Sequence, residues 1–422
     1  MNGILECKNE EKRIRIVEIF RVLHLIIYIY LIIYAILHAE TFLSLFQKIL
    51  LGILHALEVE FREGLLHQRL NLVVAEIADA AFVSMMNILV CIGGTLDCFL
   101  GGSMAKWVSF AKSLKLKMYL KDFDAHKEDI KNLLAEGDLL EEDCAWTAWV
   151  DATNKSNPLY EFNIRQLNTT ENIRACHTFL EYLLDKKDPR IIKLYEVTAN
   201  AKKTLGYSSD EELVAHMDEC YEGLPCGDKP TTDETTEGGI AISKSSRMKQ
   251  AYDDAVYLMN EAECELMIAE AYARLGNAEK AEEYYNKGVL AGFSRWGFDG
   301  TAFVDGAYKF DKADMLHSIA MQYWVTYAGA NAYDGWMTRN RLGIPEVQAN
   351  ITVRKSTTAL QRELSDGYVL GNLVDPGASN MNAGEYPMRL LYPTATTLYN
   401  SAAAKYVEEN GNSLTKKLWW EK

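Results

Sequence analysis

The sequence predicts a mostly α-helical protein: a tetratricopeptide-like α/α superhelical platform with long irregular loops and a loop-rich C-terminal segment. Three observations predict this fold class. Residues 256–290 have the spacing of a helix–turn–helix repeat, residues 104–121 have an amphipathic helical pattern, and strand-like pieces such as 351–354 are few and short. Because one helix pair cannot bury its own apolar face, further helix pairs must stack on it.

Residues 1–100 are expected to form divergent, apolar N-terminal helices. Residues 22–39 carry no charged side chain and as a helix would be about 27 Å long, slightly shorter than the hydrocarbon core of a membrane. Histidines at the ends of this stretch and tyrosines in its middle favour a buried core helix over a membrane span. For residues 22–57 as a whole, core helices, a membrane segment and a mis-framed gene region all stay open.

Two amphipathic helices are predicted between residues 100 and 190. In the stretch 104–121, Trp107, Phe110, Leu114 and Met118 recur at spacings of three and four, which predicts that these four side chains share one buried face. Residues 171–185 form the second predicted helix. The following stretch 224–246 is rich in Gly, Pro, Thr and Ser, and it is predicted to be the longest irregular loop.

The helix–turn–helix pattern of 256–290 is the clearest in the chain. Small Ala269 and Ala281 would let its two helices approach closely, while Tyr272 and Tyr285 would fill the groove between them. Gly276-Asn277 would supply the positive φ that ends the first helix.

The C-terminal third begins with one more predicted helix and then becomes irregular. Residues 314–328 form an apolar helix that carries Trp324, and residues 345–422 read as a loop-rich C-terminal wrap. We expect the whole chain, 1–422, to be a single domain.

Composition and charge exclude several classes of protein. The chain has 422 residues, 49% hydrophobic and 24% charged, which are globular values. Its formal net charge of −15 argues against binding nucleic acid, which requires a basic surface. The eight cysteines include no C-x-x-C pair, so a zinc site is not predicted. Cys91 with Cys98 and Cys220 with Cys226 are close enough in sequence to bridge, but free or buried thiols are favoured.

Enzymatic classes are not supported by any motif. The sequence lacks a G-x-S-x-G elbow, a P-loop, an H-E-x-x-H pair and a dinucleotide-binding glycine fingerprint. With 59 acidic residues, a glycosidase-like carboxylate pair could be chosen almost anywhere and carries no information. We therefore predict a protein that is not an enzyme and has no cofactor. The acids of the irregular loop lack the regular spacing of a calcium site: Asp228, Asp233, Glu234 and Glu237.

Aromatic residues in loop-like context are the candidates for ligand contact. Flat apolar ring faces suit the C–H-rich faces of sugar rings, with polar side chains alongside for the hydroxyl groups. The four predicted ligand-binding residues are Trp146, Trp149, Tyr160 and Trp296, the last of them beside Arg295 and Asp299. Three tryptophans lie on helical patterns and are assigned to the core: Trp107, Trp324 and Trp336. Trp419 and Trp420 are assigned to anchoring the C-terminus.

Six ordered segments resemble the SusD/RagB-like family of surface glycan-binding lipoproteins, and most closely its subgroup described as starch-binding and outer-membrane associated. The segments cover most of residues 100–422: 101–121, 172–196, 259–289, 321–346, 386–400 and 416–422. The resemblance implies a non-enzymatic tetratricopeptide-based platform that captures oligosaccharides, or in some members peptides. It further implies that this platform delivers them to a SusC-like TonB-dependent outer-membrane transporter in Bacteroidetes.

The N-terminal part departs from the family pattern. Tyr34 is followed by Ala35 and Ile36, where the family usually shows a Tyr-Gly-Asp-Val-Pro-like turn, and residues 42–65 are apolar instead of polar and acidic. The family also opens with a lipoprotein signal and a lipid-bearing cysteine, which this sequence does not contain; Cys7 lacks the apolar run that precedes such a cysteine. We therefore expect the chain to be N-terminally incomplete and the natural protein to be held at the surface of the outer membrane by an N-terminal lipid.

Two alternatives to a surface nutrient-binding protein follow from the residues. The repeat at 256–290 and the missing signal would also suit a cytoplasmic tetratricopeptide-type protein-interaction adaptor. A membrane-embedded protein that spans the bilayer at 22–39 is the third hypothesis.

Overall fold

The computed structural model describes residues 97–166, 173–225, 245–354, 363–376 and 382–421. The elements in chain order are α1 (Met104–Tyr119), α2 (Lys127–Glu136), β1 (Cys144–Trp146), α3 (Pro158–Tyr160), α4 (His177–Asp185), α5 (Ile191–Leu194), α6 (Ala199–Thr204), α7 (Asp210–Ala215), α8 (Met217–Cys220), β2 (Val256–Met259), α9 (Glu261–Arg274), α10 (Ala278–Ser294), α11 (Thr301–Val304), α12 (Met315–Tyr327), α13 (Ala332–Leu342), β3 (Val347–Gln348), β4 (Leu373–Val374), α14 (Thr394–Tyr399) and α15 (Ser401–Asn410). The predicted fold class, a mostly α-helical platform with long irregular connections, is confirmed. The predictions for residues 1–96, including the helices and the possible span at 22–39, lie outside the described residues.

The centre of the structure is the helix pair α9–α10, against which α12 packs, followed by α13. Asn260 begins α9 by accepting a hydrogen bond from the backbone N–H of Glu263 at 2.9 Å, and Asn277 caps α10 in the same way through Lys280. Gly276 takes the predicted positive φ, at 81°. Residues 256–259 belong to β2 and not to the first helix, since Asn260 and not an earlier residue provides the cap.

The two short sheets hold loops to this helical centre. Strands β1 and β2 are antiparallel, with Cys144 opposite Met259 and Trp146 opposite Val256. Strands β3 and β4 are parallel, with Val347 opposite Leu373.

The predicted buried face of α1 is right for Phe110 and wrong for Leu114 and Met118. Phe110, Ser113 and Leu116 are buried, whereas Leu114 and Met118 are 42% and 57% exposed. The reason is that a polar residue belongs to the buried face: the Ser113 hydroxyl accepts a hydrogen bond from the backbone N–H of Leu140 at 2.8 Å. The apolar pattern alone therefore predicted a face of the helix that is adjacent to the face actually buried.

The C-terminal segment 345–422 is loop-rich as predicted, but it contains two helices that the sequence pattern did not identify. Helices α14 and α15 lie there, and Asn400 caps α15. Neither helix has a buried residue, so the apolar periodicity that identifies a packed helix is absent from this part of the sequence.

The cysteines divide into two groups. Cys98, Cys144, Cys220 and Cys264 form no disulfide bond, so neither Cys91–Cys98 nor Cys220–Cys226 is a bridge. Cys176, for which the sequence made no prediction, is disulfide-bonded. Within the described ranges no helix is both long enough and apolar enough to cross a membrane.

Candidate functional site

Four aromatic side chains form a continuous row beside strand β1. The ring centroids lie 6.4 Å apart between Trp107 and Phe99, 5.7 Å between Phe99 and Trp146, and 5.8 Å between Trp146 and Trp149. We call this set of four residues the aromatic row. All three tryptophan rings are half-buried, so each is packed on one side and accessible on another.

Asp97 fixes one end of the aromatic row. Its carboxylate accepts hydrogen bonds from the backbone N–H groups of Phe99 and Gly102, at 2.9 and 2.8 Å, and from the indole N–H of Trp107 at 2.7 Å. Burial alone would raise the pKa of Asp97, but these donors outweigh it and lower the pKa below its usual value. The ionised carboxylate thus holds the turn before α1 and the Trp107 ring in one arrangement.

The β1–β2 ladder fixes the other end. Trp146 lies opposite Val256 in this ladder, and the chain turns directly after it, where the backbone N–H of Trp149 donates to the carbonyl of Thr147 at 2.9 Å. This turn brings the Trp149 ring against that of Trp146, as two predicted ligand-binding residues require if they are to act together.

The indole N–H groups of Trp146 and Trp149 have no hydrogen-bond acceptor among the described residues, and both nitrogens are screened from solvent. Buried donors of this kind are uncommon, because an unmade hydrogen bond costs about 1–3 kcal/mol. The pair can therefore supply both an apolar face and a donor.

Tyr160 lies in the segment that continues from the aromatic row. Asn157 caps the short helix α3 by accepting hydrogen bonds from Leu159 and Tyr160, at 2.8 and 3.1 Å. The guanidinium of Arg165 lies 5.5 Å from the Tyr160 ring centroid and pairs with Asp151 at 2.5 Å. Tyr160 is thus connected through Arg165 to a residue only two positions from Trp149.

Trp296 is placed elsewhere. It packs on the turn between α12 and α13, where a Cβ on Gly329 would come within 3.0 Å of its ring, and its neighbour Arg295 lies 5.4 Å from the ring of Tyr257. Tyr257 is opposite Ala145 in the ladder, so it projects from the face opposite to that of Trp146. The predicted companion Asp299 bonds to Thr301 instead. The structure therefore groups Trp146 with Trp149, sets Tyr160 in the same segment, and separates Trp296.

The sequence reasoning missed Phe99 and Asp97 and assigned Trp107 to the core. A signal was present: an aspartate followed by Gly101-Gly102 and by Ser103, the N-cap of α1, is typical of a turn that leads into a helix. The anchoring prediction for the C-terminus is right only for Trp420, which packs under Lys121 at 5.2 Å, whereas Trp419 is 72% exposed.

No cluster of three or more metal-ligating side chains occurs in the ranges that the structure describes. The loop acids considered for calcium lie outside those ranges: Asp228, Asp233, Glu234 and Glu237.

Comparisons with known proteins extend these observations. Residues 74–364 match the family described as SusD-like, starch-binding and associating with the outer membrane. The fold is similar to that of a SusD homologue from Bacteroides uniformis, with a TM-score of 0.58, 19% identity, and coverage of 82% of this chain and 73% of that one. It is also similar to a chitin-binding protein, with a TM-score of 0.56, 20% identity, and coverage of 82% and 73%. A third similar structure is a SusD homologue from Bacteroides thetaiotaomicron, with a TM-score of 0.56, 15% identity, and coverage of 80% and 71%. No protein with a curated description matches this chain.

Proposed function

The chain belongs to the SusD-like family of starch-binding proteins that associate with the outer membrane, and from this premise we propose that it captures oligosaccharides at the cell surface and delivers them to a SusC-like TonB-dependent transporter. The proposed action consists of binding and release, with no bond made or broken. It is a passive role, in keeping with a family of binding proteins.

The observation that carries the proposal is the Trp146–Trp149 pair. Two half-buried indoles with ring centroids 5.8 Å apart offer neighbouring apolar faces, and both keep an N–H without an acceptor. Ligand sites commonly combine aromatic walls with a few fixed polar groups, because the walls supply the area and the polar groups the orientation. Successive sugar rings of one chain would stack on the two faces, and hydroxyl groups would accept from the indoles.

The disulfide at Cys176 supports a surface location over the cytoplasmic adaptor considered above. Disulfide bonds persist in oxidising compartments such as the periplasm and the cell surface, and they are rare in the cytosol.

Isothermal titration of the full chain against a panel of neutral oligosaccharides tests the capture step. The panel should include α-glucans, β-glucans and chitin oligosaccharides. We expect measurable binding of at least one of them, with no change in the length of the oligosaccharide after prolonged incubation. The absence of binding by every oligosaccharide of the panel would contradict the proposal, and so would cleavage of a bound sugar.

The delivery step is tested by a separate experiment. An affinity-tagged chain should co-purify a TonB-dependent transporter from detergent-solubilised outer membranes. Purification of the chain alone would refute delivery to a transporter while leaving glycan capture intact.

A further inference from the structure

A cavity of about 300 Å³ lies between α1, α9, α12, α13 and the C-terminal segment, away from the aromatic row. Its wall is mostly apolar and aromatic, with Tyr323 and Trp420 among the rings and Leu418 beside them. The charged side chains at the wall are three cations and one acid: Lys117, Lys121, Arg341 and Asp334. The volume is at the lower end of the range for small-molecule sites, which suits a ligand of about one sugar ring.

Two of the three cations at the cavity are neutralised within the protein. Lys117 pairs with Glu263 at 2.6 Å and with Asp334 at 2.9 Å. Arg341 forms a two-point ion pair with Glu270, at 2.5 and 2.7 Å. Both pairs are largely withdrawn from solvent, so these groups are committed to the structure.

Lys121 differs from them, since no carboxylate of the described residues pairs with its ammonium group. The ammonium lies 5.2 Å from the ring centroid of Trp420, which is a cation–π contact and not a charge partner. Burial, together with the nearby charges of Lys117 and Arg341, lowers the pKa of Lys121 and outweighs the carboxylate of Asp334, which raises it. The carboxylate of Asp334 at the same wall pairs with Lys117, so the half-buried ammonium of Lys121 stays outside any direct ion pair and is stabilised by an anion that enters the cavity.

We propose that this cavity binds a small ligand with one carboxylate group, about the size of a single sugar ring, with the carboxylate on Lys121 and the C–H face of the ligand on Trp420. A uronic acid or a small amino-acid derivative would have this chemistry. The site goes beyond the proposed function, because it is distinct from the aromatic row and takes an anionic ligand.

Matched ligands test the role of the carboxylate without any mutation. Isothermal titration of the full chain should show binding of glucuronate, of N-acetylphenylalanine or of both, and the comparison of the two identifies the class of carboxylate. The methyl ester of glucuronic acid has the same ring and no charge. It should bind at least about tenfold more weakly, because it loses the ion pair with Lys121. Equal affinity for glucuronate and its ester would overturn the proposal, as would the absence of binding by both carboxylates.

Matched variants test Lys121 itself. Lys121→Gln should weaken the binding of the carboxylate about tenfold, and Lys121→Arg should retain most of it because the charge is kept. Lys203→Gln, at an exposed lysine of α6, is the control and should leave the affinity unchanged. Affinity that is unaltered in Lys121→Gln would refute the assignment. Since the probes contain no neutral oligosaccharide, failure here and failure of glycan capture are distinguishable.

Discussion

Buried charged residues in the described core are mostly held by opposite charges. Glu270, which is fully buried, accepts from Arg341 and also from Arg274 at 2.8 Å. Arg190 donates to Asp188 at 2.6 Å, and the hydroxyl of Tyr308 donates to the same carboxylate. Two of these contacts, Glu270 with Arg341 and Asp188 with Tyr308, join residues far apart in the sequence, so the composition alone gave no indication of which of the 59 acids are structural.

Glu265 on α9 is an exception that makes stability depend on pH. It is 6% exposed, and one of its carboxylate oxygens has no hydrogen-bond partner. Burial, opposed by Lys287 and reinforced by nearby acids, raises the pKa of Glu265 to about 7. A carboxyl group with a raised pKa in the folded state binds a proton more tightly there than in the unfolded chain. Its contribution to stability is therefore complete at low pH and is lost as the pH rises through about 7.

Replacing Glu265 by Gln should remove this dependence. The Glu265→Gln variant should match the wild type near pH 5 and have a Tm about 2–6 °C higher at pH 8, where the wild type must keep a buried charge. Thermal unfolding followed by circular dichroism at both pH values measures the difference. Glu408→Gln, at an exposed position of α15, is the control and should leave the two Tm values close to those of the wild type. A Glu265→Gln variant less stable than the wild type at pH 8 would contradict this interpretation.

At the scale of elements, the helix pair α9–α10 shows what a sequence pattern can and cannot predict. Ala269 and Ala281 are fully buried as predicted, and Tyr285 fills the groove and donates to the carbonyl of Tyr308 at 2.8 Å. Tyr272 instead remains half-buried and stacks on Tyr284. The two helices also approach each other closely at Gly288, which the pattern did not single out because a glycine inside a helix has no side chain to reveal a face.

Gly288→Ala tests this close approach. A Cβ at this position would lie 2.8 Å from Cγ of Leu266 and 3.2 Å from the carbonyl oxygen of Ala262. In an open helix this substitution would stabilise by about 0.5–1 kcal/mol, but here we expect a loss of about 1–3 kcal/mol. Denaturant unfolding measures the sign directly.

A second background separates steric conflict from other causes. In a Leu266→Ala chain the conflict with the Leu266 side chain is gone and only the Ala262 carbonyl oxygen stays near, so adding Gly288→Ala should cost clearly less than in the wild type. Stabilisation by Gly288→Ala in the wild-type background would show that the two helices are not in such close contact.

Other elements were missed for identifiable physical reasons. Helices α14 and α15 bury no side chain, so they lack the apolar period from which helices are predicted. The buried face of α1 includes Ser113, a polar residue that is satisfied by a distant backbone N–H. The face of α1 is thus decided by a tertiary contact and α14 and α15 form without a buried face, and a pattern of apolar residues records neither.

At the scale of the whole molecule, the fold class and the family could be predicted from the sequence, because ordered helical segments carry both. The candidate site was predicted only in part. Trp146 and Trp149 were named, but their contact depends on a turn after β1, and Trp107 joins them only through Asp97 and Phe99. Trp296 had the same local signal and lies on the opposite side of the β1–β2 ladder, which no local pattern distinguishes.

The central claim is that a helical scaffold presents Trp146 and Trp149 as a docking face for oligosaccharides. The affinity of the Trp146→Ala/Trp149→Ala double variant for the best neutral oligosaccharide, measured by isothermal titration, tests it most directly. We expect a loss of at least about tenfold, because stacking on both rings disappears, with Trp419→Ala, at a 72% exposed tryptophan outside the row, binding as the wild type does. Wild-type affinity in the double variant, with its fold intact by circular dichroism, would contradict the claim.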